Sequence, residues 1–208
     1  MNDVHASTRS TPDGLRERKK RETRARILRS AARLFAKRGF DATTIREIAE
    51  DADIARATFF NYFPEKGAVV LELGDRMTGD FLDFVADAQA RDLPLAESLR
   101  EVFRHSSAAL ERRPTLSRAL LLETVARRDI TERAGHLNRL HEGLGALLEE
   151  RARRGEIRRD ARIPLLAQII GGTYVEILLA WMTDLGLPLG ERLDEAALLL
   201  ANAFSRDH

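Results

Sequence analysis

Apolar residues recur at helical spacing along most of this chain, and no stretch alternates apolar and polar as a half-buried strand would. A first helix is expected from about Leu15 to Arg38, with Ile27, Ala31, Leu34 and Phe35 on its inner stripe and Gly39 ending it. A long helix from about Lys66 to Arg91 carries Val69, Val70, Leu73, Met77, Phe81, Phe84 and Val85 inward. Pro94 and Pro114 each open a further helix, with Leu95, Leu99, Val102, Phe103 and Leu110 spaced along the first and Leu116, Leu120, Leu121 and Val125 along the second. Asp129 and Glu132 suggest the cap of a helix carrying Leu137, Leu140, Leu144, Leu147 and Leu148 as far as Gly155. After a polar link, Pro164 starts a strongly apolar helix, and a last helix is expected from about Leu193 to Phe204. The pattern predicts an all-α protein of about nine helices.

The densest information lies between Thr43 and Lys66. Ile45, Ile48, Ala49 and Ala52 fall at i, i+3, i+4 and i+7, which makes one apolar stripe on a two-turn helix. Thr44-Ile45-Arg46-Glu47 fits a capping box, in which the threonine oxygen and the glutamate carboxylate satisfy backbone donors at the helix start. The pattern breaks at Asp53-Ile54-Ala55 and resumes at Phe59 and Phe63, four apart, so a second helix must turn to share the same core. Helix, three-residue turn and helix together read as a helix-turn-helix.

At these residues the chain resembles the tetracycline-repressor-like (TetR) family of bacterial transcriptional regulators. The resemblance is carried by Thr44, Ile45, Ile48, Ala49, Ala52, Asp53, Ile54, Ala55, Ala57, Thr58, Phe60, Tyr62, Phe63 and Lys66. Three positions depart from the family's pattern: Asp53 stands for the turn glycine, Ala55 for a capping serine and Phe60 for a tyrosine. Aspartate tolerates a left-handed backbone better than most residues, so the turn can survive, whereas alanine cannot cap a helix. A recognition helix puts its N-terminal residues at base edges, so Arg56, Ala57, Thr58 and Phe60 are the expected base readers. Arg56 can grip guanine O6 and N7 together, and Ala57 and Phe60 suit thymine methyls. The resemblance, with their polar chemistry, puts Thr44, Asn61, Tyr62 and Lys66 at phosphates. Phe59 and Phe63, on the opposite face, are expected in the core.

Charge sharpens this reading. Net charge is +1, yet the stretch from Arg9 to Arg38 carries an excess of nine positive charges and the remainder is acidic, as expected where one end meets phosphate. The expected organisation is a flexible basic arm over residues 1–14, a DNA-binding domain over 15–66, and a helical domain over 67–208. The resemblance implies that the last of these encloses a small-molecule pocket and pairs with a second copy through its final two long helices. Gly171, Gly172 and the run Leu198-Leu199-Leu200 permit such pairing, although a monomer's core gives the same pattern. Phe103, Tyr174 and Trp181 are the candidate pocket residues, since aromatic walls suit ligands, although single aromatics at helical spacing are more often core.

Other function classes find little support. The chain has no cysteine, which excludes disulfides and thiolate chemistry. Histidines occur at His5, His105, His136, His141 and His208, with no His-Glu-x-x-His motif, phosphate loop or nucleophile elbow. His136 and His141, five apart, diverge on a helix; no catalytic residue, metal or cofactor is expected. A helix-turn-helix adaptor for protein contact is a further alternative, against which the basic first helix and Arg56 argue. Residues from Met1 to Pro12 lack the apolar segment of a secretory signal. The apolar run from Leu165 to Met182 holds Gln168 and Glu176, and a charge near a bilayer centre costs about 2.5 to 3.5 kcal/mol, so a helix buried on two sides within protein is expected rather than a membrane span. The expected protein is a cytoplasmic regulator, in keeping with the family a repressor, that binds an inverted-repeat DNA operator as a homodimer and is released by a small-molecule effector.

Overall fold

A computed structural model describes residues 12–205 apart from positions 92, 128 and 129. Among the described residues nine α-helices account for the regular structure: α1 (Pro12–Arg38), α2 (Ile45–Asp51), α3 (Arg56–Phe60), α4 (Lys66–Ala90), α5 (Leu95–Glu111), α6 (Pro114–Arg127), α7 (Ile130–Arg153), α8 (Ile163–Thr183) and α9 (Leu189–Phe204). The chain divides into two compact units, and the division falls inside α4, between Val69 and Val70.

The first unit is organised around the inner stripe of α1. Ile27, Leu28, Ala31, Leu34 and Phe35 are buried together with Ile48, Ala49 and Ala52 of α2, Phe59 of α3, Phe63 and Val69. Gly39 ends α1 with a φ of +80°, the left-handed conformation that glycine adopts without a Cβ clash, and its amide donates to the Phe35 carbonyl at 2.9 Å. The buried Thr43 hydroxyl closes the following turn by donating to the Gly39 carbonyl at 2.8 Å. Helix α1 begins at Pro12, three residues earlier than its apolar spacing indicates, so the end of the expected arm is helical; residues 1–11 of that arm lie outside the described residues. From Gly14 to Glu22 every residue of α1 is exposed, because the apolar stripe starts only at Ile27.

In the second unit α5 packs along α9 and α7 along α8, around a core that includes Phe81, Leu99, Phe103, Leu144, Leu147, Ile170, Trp181 and Leu193. Arg100 grips Asp194 with two hydrogen bonds, of 2.7 and 3.1 Å, across the α5–α9 pair. Gly155 ends α7 at φ +77°, and the following Glu156 carboxylate accepts the Leu95 amide at 2.8 Å, capping the start of α5. Arg151 is wholly buried; its Nη2 donates to the Ala88 and Arg91 carbonyls and to Ser98 Oγ, tying the end of α4 to α5 and α7. Helix α9 starts at Leu189, one turn before the expected Leu193, because Leu189 is itself fully buried. The cap expected at Asp129 lies outside the described residues.

Helix α8 departs from expectation in its surroundings. By length and composition it could cross a membrane, yet only a third of its apolar window is buried within the chain. One face, with Leu166, Ile170, Gly171, Tyr174, Leu178 and Trp181, enters the core. The other, with Leu165, Gln168, Ile169, Gly172 and Glu176, is exposed. It therefore buries one side, not two. Leu198 and Leu199 of α9 are likewise exposed, Leu199 to 70%.

Candidate functional site

The helix-turn-helix is held by local chemistry at three points. At the start of α2, Thr44 accepts the Glu47 amide at 3.2 Å while the Glu47 carboxylate accepts the Thr44 amide at 2.8 Å, completing the capping box. These bonds to Thr44, reinforced by Arg38 at 2.6 Å, hold the Glu47 carboxyl down at about 2. At the turn, Asp53 takes a φ of +52°. This is the left-handed backbone expected of the residue in the glycine position. At the start of α3, Ala55 is the N-cap with φ −66° and ψ 147°, and its side chain caps nothing. Its carbonyl accepts both the Thr58 and Phe59 amides, at 2.9 and 3.3 Å.

Phe59 and Phe63 are buried to 0% and 1% exposure, which pins the inner face of this region and turns the opposite face outward. Arg56, Ala57 and Phe60 are exposed and Thr58 half-buried. The Arg56 guanidinium lies 5.8 Å from the centre of the Phe60 ring, and that ring meets Phe59 edge-on at 5.7 Å. A long cation and an apolar ring thus stand side by side on an open helix face, a pairing suited to a guanine edge next to a thymine methyl.

The four expected phosphate residues fare differently. Asn61 is exposed at the end of α3 and Tyr62 half-buried, its carbonyl accepting Arg24 Nη1 at 3.2 Å. The Arg24 guanidinium also lies 4.5 Å over the Phe63 ring, so a basic residue of α1 is built into the α3 neighbourhood. Thr44 is exposed, with its hydroxyl engaged by Glu47. Lys66 is engaged within the fold. Its ammonium donates to the Phe40 and Thr43 carbonyls at 2.6 and 2.7 Å, approaches the Asp41 carbonyl at 3.5 Å, and sits 4.0 Å from the Phe40 ring. It fastens the first residue of α4 to the α1–α2 turn, and the sequence shows only the charge, not the carbonyls that collect it.

The second unit contains a cavity of about 350 Å³, walled by α4, α5, α6, α7 and α8. Met77, Phe81, Phe84, Leu121, Leu137 and Leu178 are among the residues that make its surface largely apolar. Of the three candidate pocket residues Tyr174 borders it, with Ser106 bonded to its hydroxyl at 2.6 Å. Burial pushes the Tyr174 phenol up to about 12, against the pull of the Ser106 bond, so it stays a neutral hydroxyl. Phe103 and Trp181 do not border the cavity. Phe103 is fully buried behind Tyr174, its ring centre 5.5 Å away, and Trp181 lies in the core beneath the Arg118 guanidinium at 4.4 Å. Helical spacing marks both as inward-facing but does not say which inner surface they meet.

His136, whose spacing from His141 argues against a shared metal, has another setting. It borders both this cavity and a more polar recess with Asp75, Glu132 and Arg139. Its Nε2 is 2.8 Å from Thr78 Oγ1, while Arg139 reaches its Nδ1 at 3.3 Å and Asp75 Oδ1 at 3.0 Å. The sequence does not single it out: Glu132, Asn138, Arg139 and His141 make this part of the helix largely polar. Among the described residues no group of three or more His, Asp or Glu side chains is placed to hold a metal ion.

Comparison with known proteins agrees with this geometry. The family profile described as "Bacterial regulatory proteins, tetR family" matches residues 27–73, which takes in the helix-turn-helix. The HTH-type transcriptional regulator MT2310 of Mycobacterium tuberculosis is 32% identical over 146 residues, covering 68% of this chain and 73% of that protein. The HTH-type transcriptional regulator TcmR of Streptomyces glaucescens is 38% identical over 100 residues, 47% of this chain; the match spans only 44% of TcmR's length. Among solved structures, Thermus thermophilus FadR, described as a transcriptional repressor of the same family in complex with lauroyl-CoA, superposes with a TM-score of 0.70 at 29% identity, covering 89% of this chain and 97% of FadR. The chain is a helix-turn-helix protein, and it belongs to the TetR family of bacterial regulatory proteins.

Proposed function

We propose that this protein is a transcriptional repressor that binds an inverted-repeat operator as a homodimer in the cytoplasm and is released by a small, largely apolar effector. The observation that carries the reading is the open face of α3, where Arg56, Ala57 and Phe60 project from a helix whose other face is locked by Phe59 and Phe63. The exposed basic turns of α1, with Arg16, Arg18, Lys19, Lys20 and Arg21, supply the sequence-independent attraction to phosphate. Dimerisation fits the apolar residues left exposed on α8 and α9, which a second copy would cover. The apolar cavity and the lauroyl-CoA bound by FadR support an effector with a substantial apolar body.

Selection of bound sequences from a random duplex pool tests the reading. Selected sites should show a dyad, with Arg56→Ala costing roughly 1 to 3 kcal/mol and relaxing preference at one position per half-site. Sites without a dyad, or an Arg56→Ala loss that leaves base preference unchanged, would overturn it. For the effector, reciprocal linkage requires operator DNA to weaken its binding by the same factor by which it weakens operator binding.

A further inference from the structure

The hydroxyl groups around the cavity can be accounted for one by one. Thr78 Oγ1 is shared between His136 and the Gly74 carbonyl, at 2.8 and 3.3 Å. Ser117 donates to the Leu110 carbonyl at 2.8 Å. Thr124 Oγ1 has no partner, but it is shut off against Gly74, 2.4 Å from where a Cβ would stand on that glycine. Ser106 and Tyr174 differ from all of these. They carry two hydroxyl protons, and the 2.6 Å bond between them uses one. Among the described residues no other hydrogen-bond partner reaches either oxygen, so one proton remains unspent whichever hydroxyl donates.

That proton sits in surroundings that give it a fixed place. Ser106 and Tyr174 are 4% and 6% exposed, and both border the cavity. The tyrosine ring is held between Phe81, with centres 4.5 Å apart, and Phe103, at 5.5 Å, so its hydroxyl can turn only about its own C–O bond. A buried donor without an acceptor is unfavourable, and the surrounding wall of Phe81, Leu110 and Leu178 offers none.

We propose that the Ser106–Tyr174 pair is a hydrogen-bond donor site that selects, among molecules apolar enough to enter the cavity, those carrying a carbonyl or ether oxygen. The proposal rests on the reading of this cavity as the effector site and adds the chemical class of what it takes. A pure hydrocarbon of the same shape would fill the space and leave the proton unspent.

Benzophenone and diphenylmethane test it, since they differ by a carbonyl in place of a methylene. Each is titrated against Nile red bound to the full-length protein, for the wild type, Tyr174→Phe, Ser106→Ala and the double variant, with circular dichroism confirming fold. The ratio of the two dissociation constants cancels the difference in their solubility. Removing both hydroxyls should shift that ratio against the ketone by about tenfold, the worth of one hydrogen bond of about 1.4 kcal/mol. Ser106→Ala alone should keep the ketone preference, because Tyr174 retains its proton. An unchanged ratio in the double variant, with both compounds still bound, overturns the donor site while leaving the cavity reading intact. Failure of both compounds to displace the dye from the wild type overturns the cavity reading, and this proposal with it. Should the double variant unfold, Ser106→Cys combined with Tyr174→Phe, which fills the same space with only a weak thiol donor, carries the test: loss of the ketone preference supports the site, and an unchanged ratio overturns it.

Discussion

Ala55→Ser should stabilise the start of the recognition helix. Helix α3 is five residues long, so its unpaired terminal amides are a large share of its backbone groups. Thr58 and Phe59 find the Ala55 carbonyl, which leaves the Arg56 and Ala57 amides dependent on water. Ala55 already has the extended φ and ψ that a capping serine adopts, and it is exposed, so the added hydroxyl needs no rearrangement to accept an amide of the first turn. Exchanging alanine for serine at an N-cap is worth about 0.5 to 2 kcal/mol, and the exposed setting argues for about 1. In a protein of this size that corresponds to a rise of about 2 to 4 °C in Tm if the chain melts as one unit. Hydrogen exchange resolved to the α3 amides isolates the effect from the rest of the molecule. Protection should rise at Ala57 or Thr58 and stay unchanged in α8. If neither Tm nor α3 protection moves, another group already satisfies the cap, and the alanine is better explained by close approach to a base or sugar.

Three further outcomes are expected. The Glu47 carboxyl is held at about 2, below its ordinary 4.5, mainly by its bonds to Thr44, so the stability it contributes is complete above pH 4.5 and disappears as the pH falls through 2. The gap in Tm between the wild type and Glu47→Ala should therefore close across that window, and a gap that persists at pH 2 would show the capping box does not act through the carboxylate. Asp53→Val places a β-branched residue at φ +52° and should cost about 1 to 2 kcal/mol in denaturant unfolding, whereas Asp53→Gly should cost nothing. If the proposed dimer forms through α8 and α9, Leu199→Arg, at the most exposed apolar position of α9, should convert it to monomer in sedimentation at micromolar concentration, and an unchanged dimer would place the interface elsewhere.

The architecture was largely legible because its signals are local. Thr44 with Glu47, Gly39 and Asp53 each fix a boundary through the backbone of their own neighbourhood, and the four-residue spacing of Phe59 and Phe63 names the inner face of α3. What stayed hidden depends on distant partners. Lys66 looks like any basic residue until the Phe40 and Thr43 carbonyls are brought to it from more than twenty residues away. Phe103 and Tyr174 share helical spacing and aromatic character, yet one faces the cavity and the other backs it, a distinction set by how α5 and α8 rotate against each other. The helix starts at Pro12 and Leu189 precede the expected ones for a related reason, since apolar periodicity begins inside a helix rather than at its end.

The setting of Lys66 separates two kinds of salt dependence. Exposed arginines and lysines on the first turns of α1, proposed above to attract phosphate, would lose that hold as mobile ions compete for both partners. An ammonium enclosed by the oxygens of Phe40, Thr43 and Asp41 is satisfied at close range by dipoles that no dissolved ion displaces at ordinary concentrations. Salt that strips the protein from DNA should therefore leave this tie between the start of α4 and the α1–α2 turn in place.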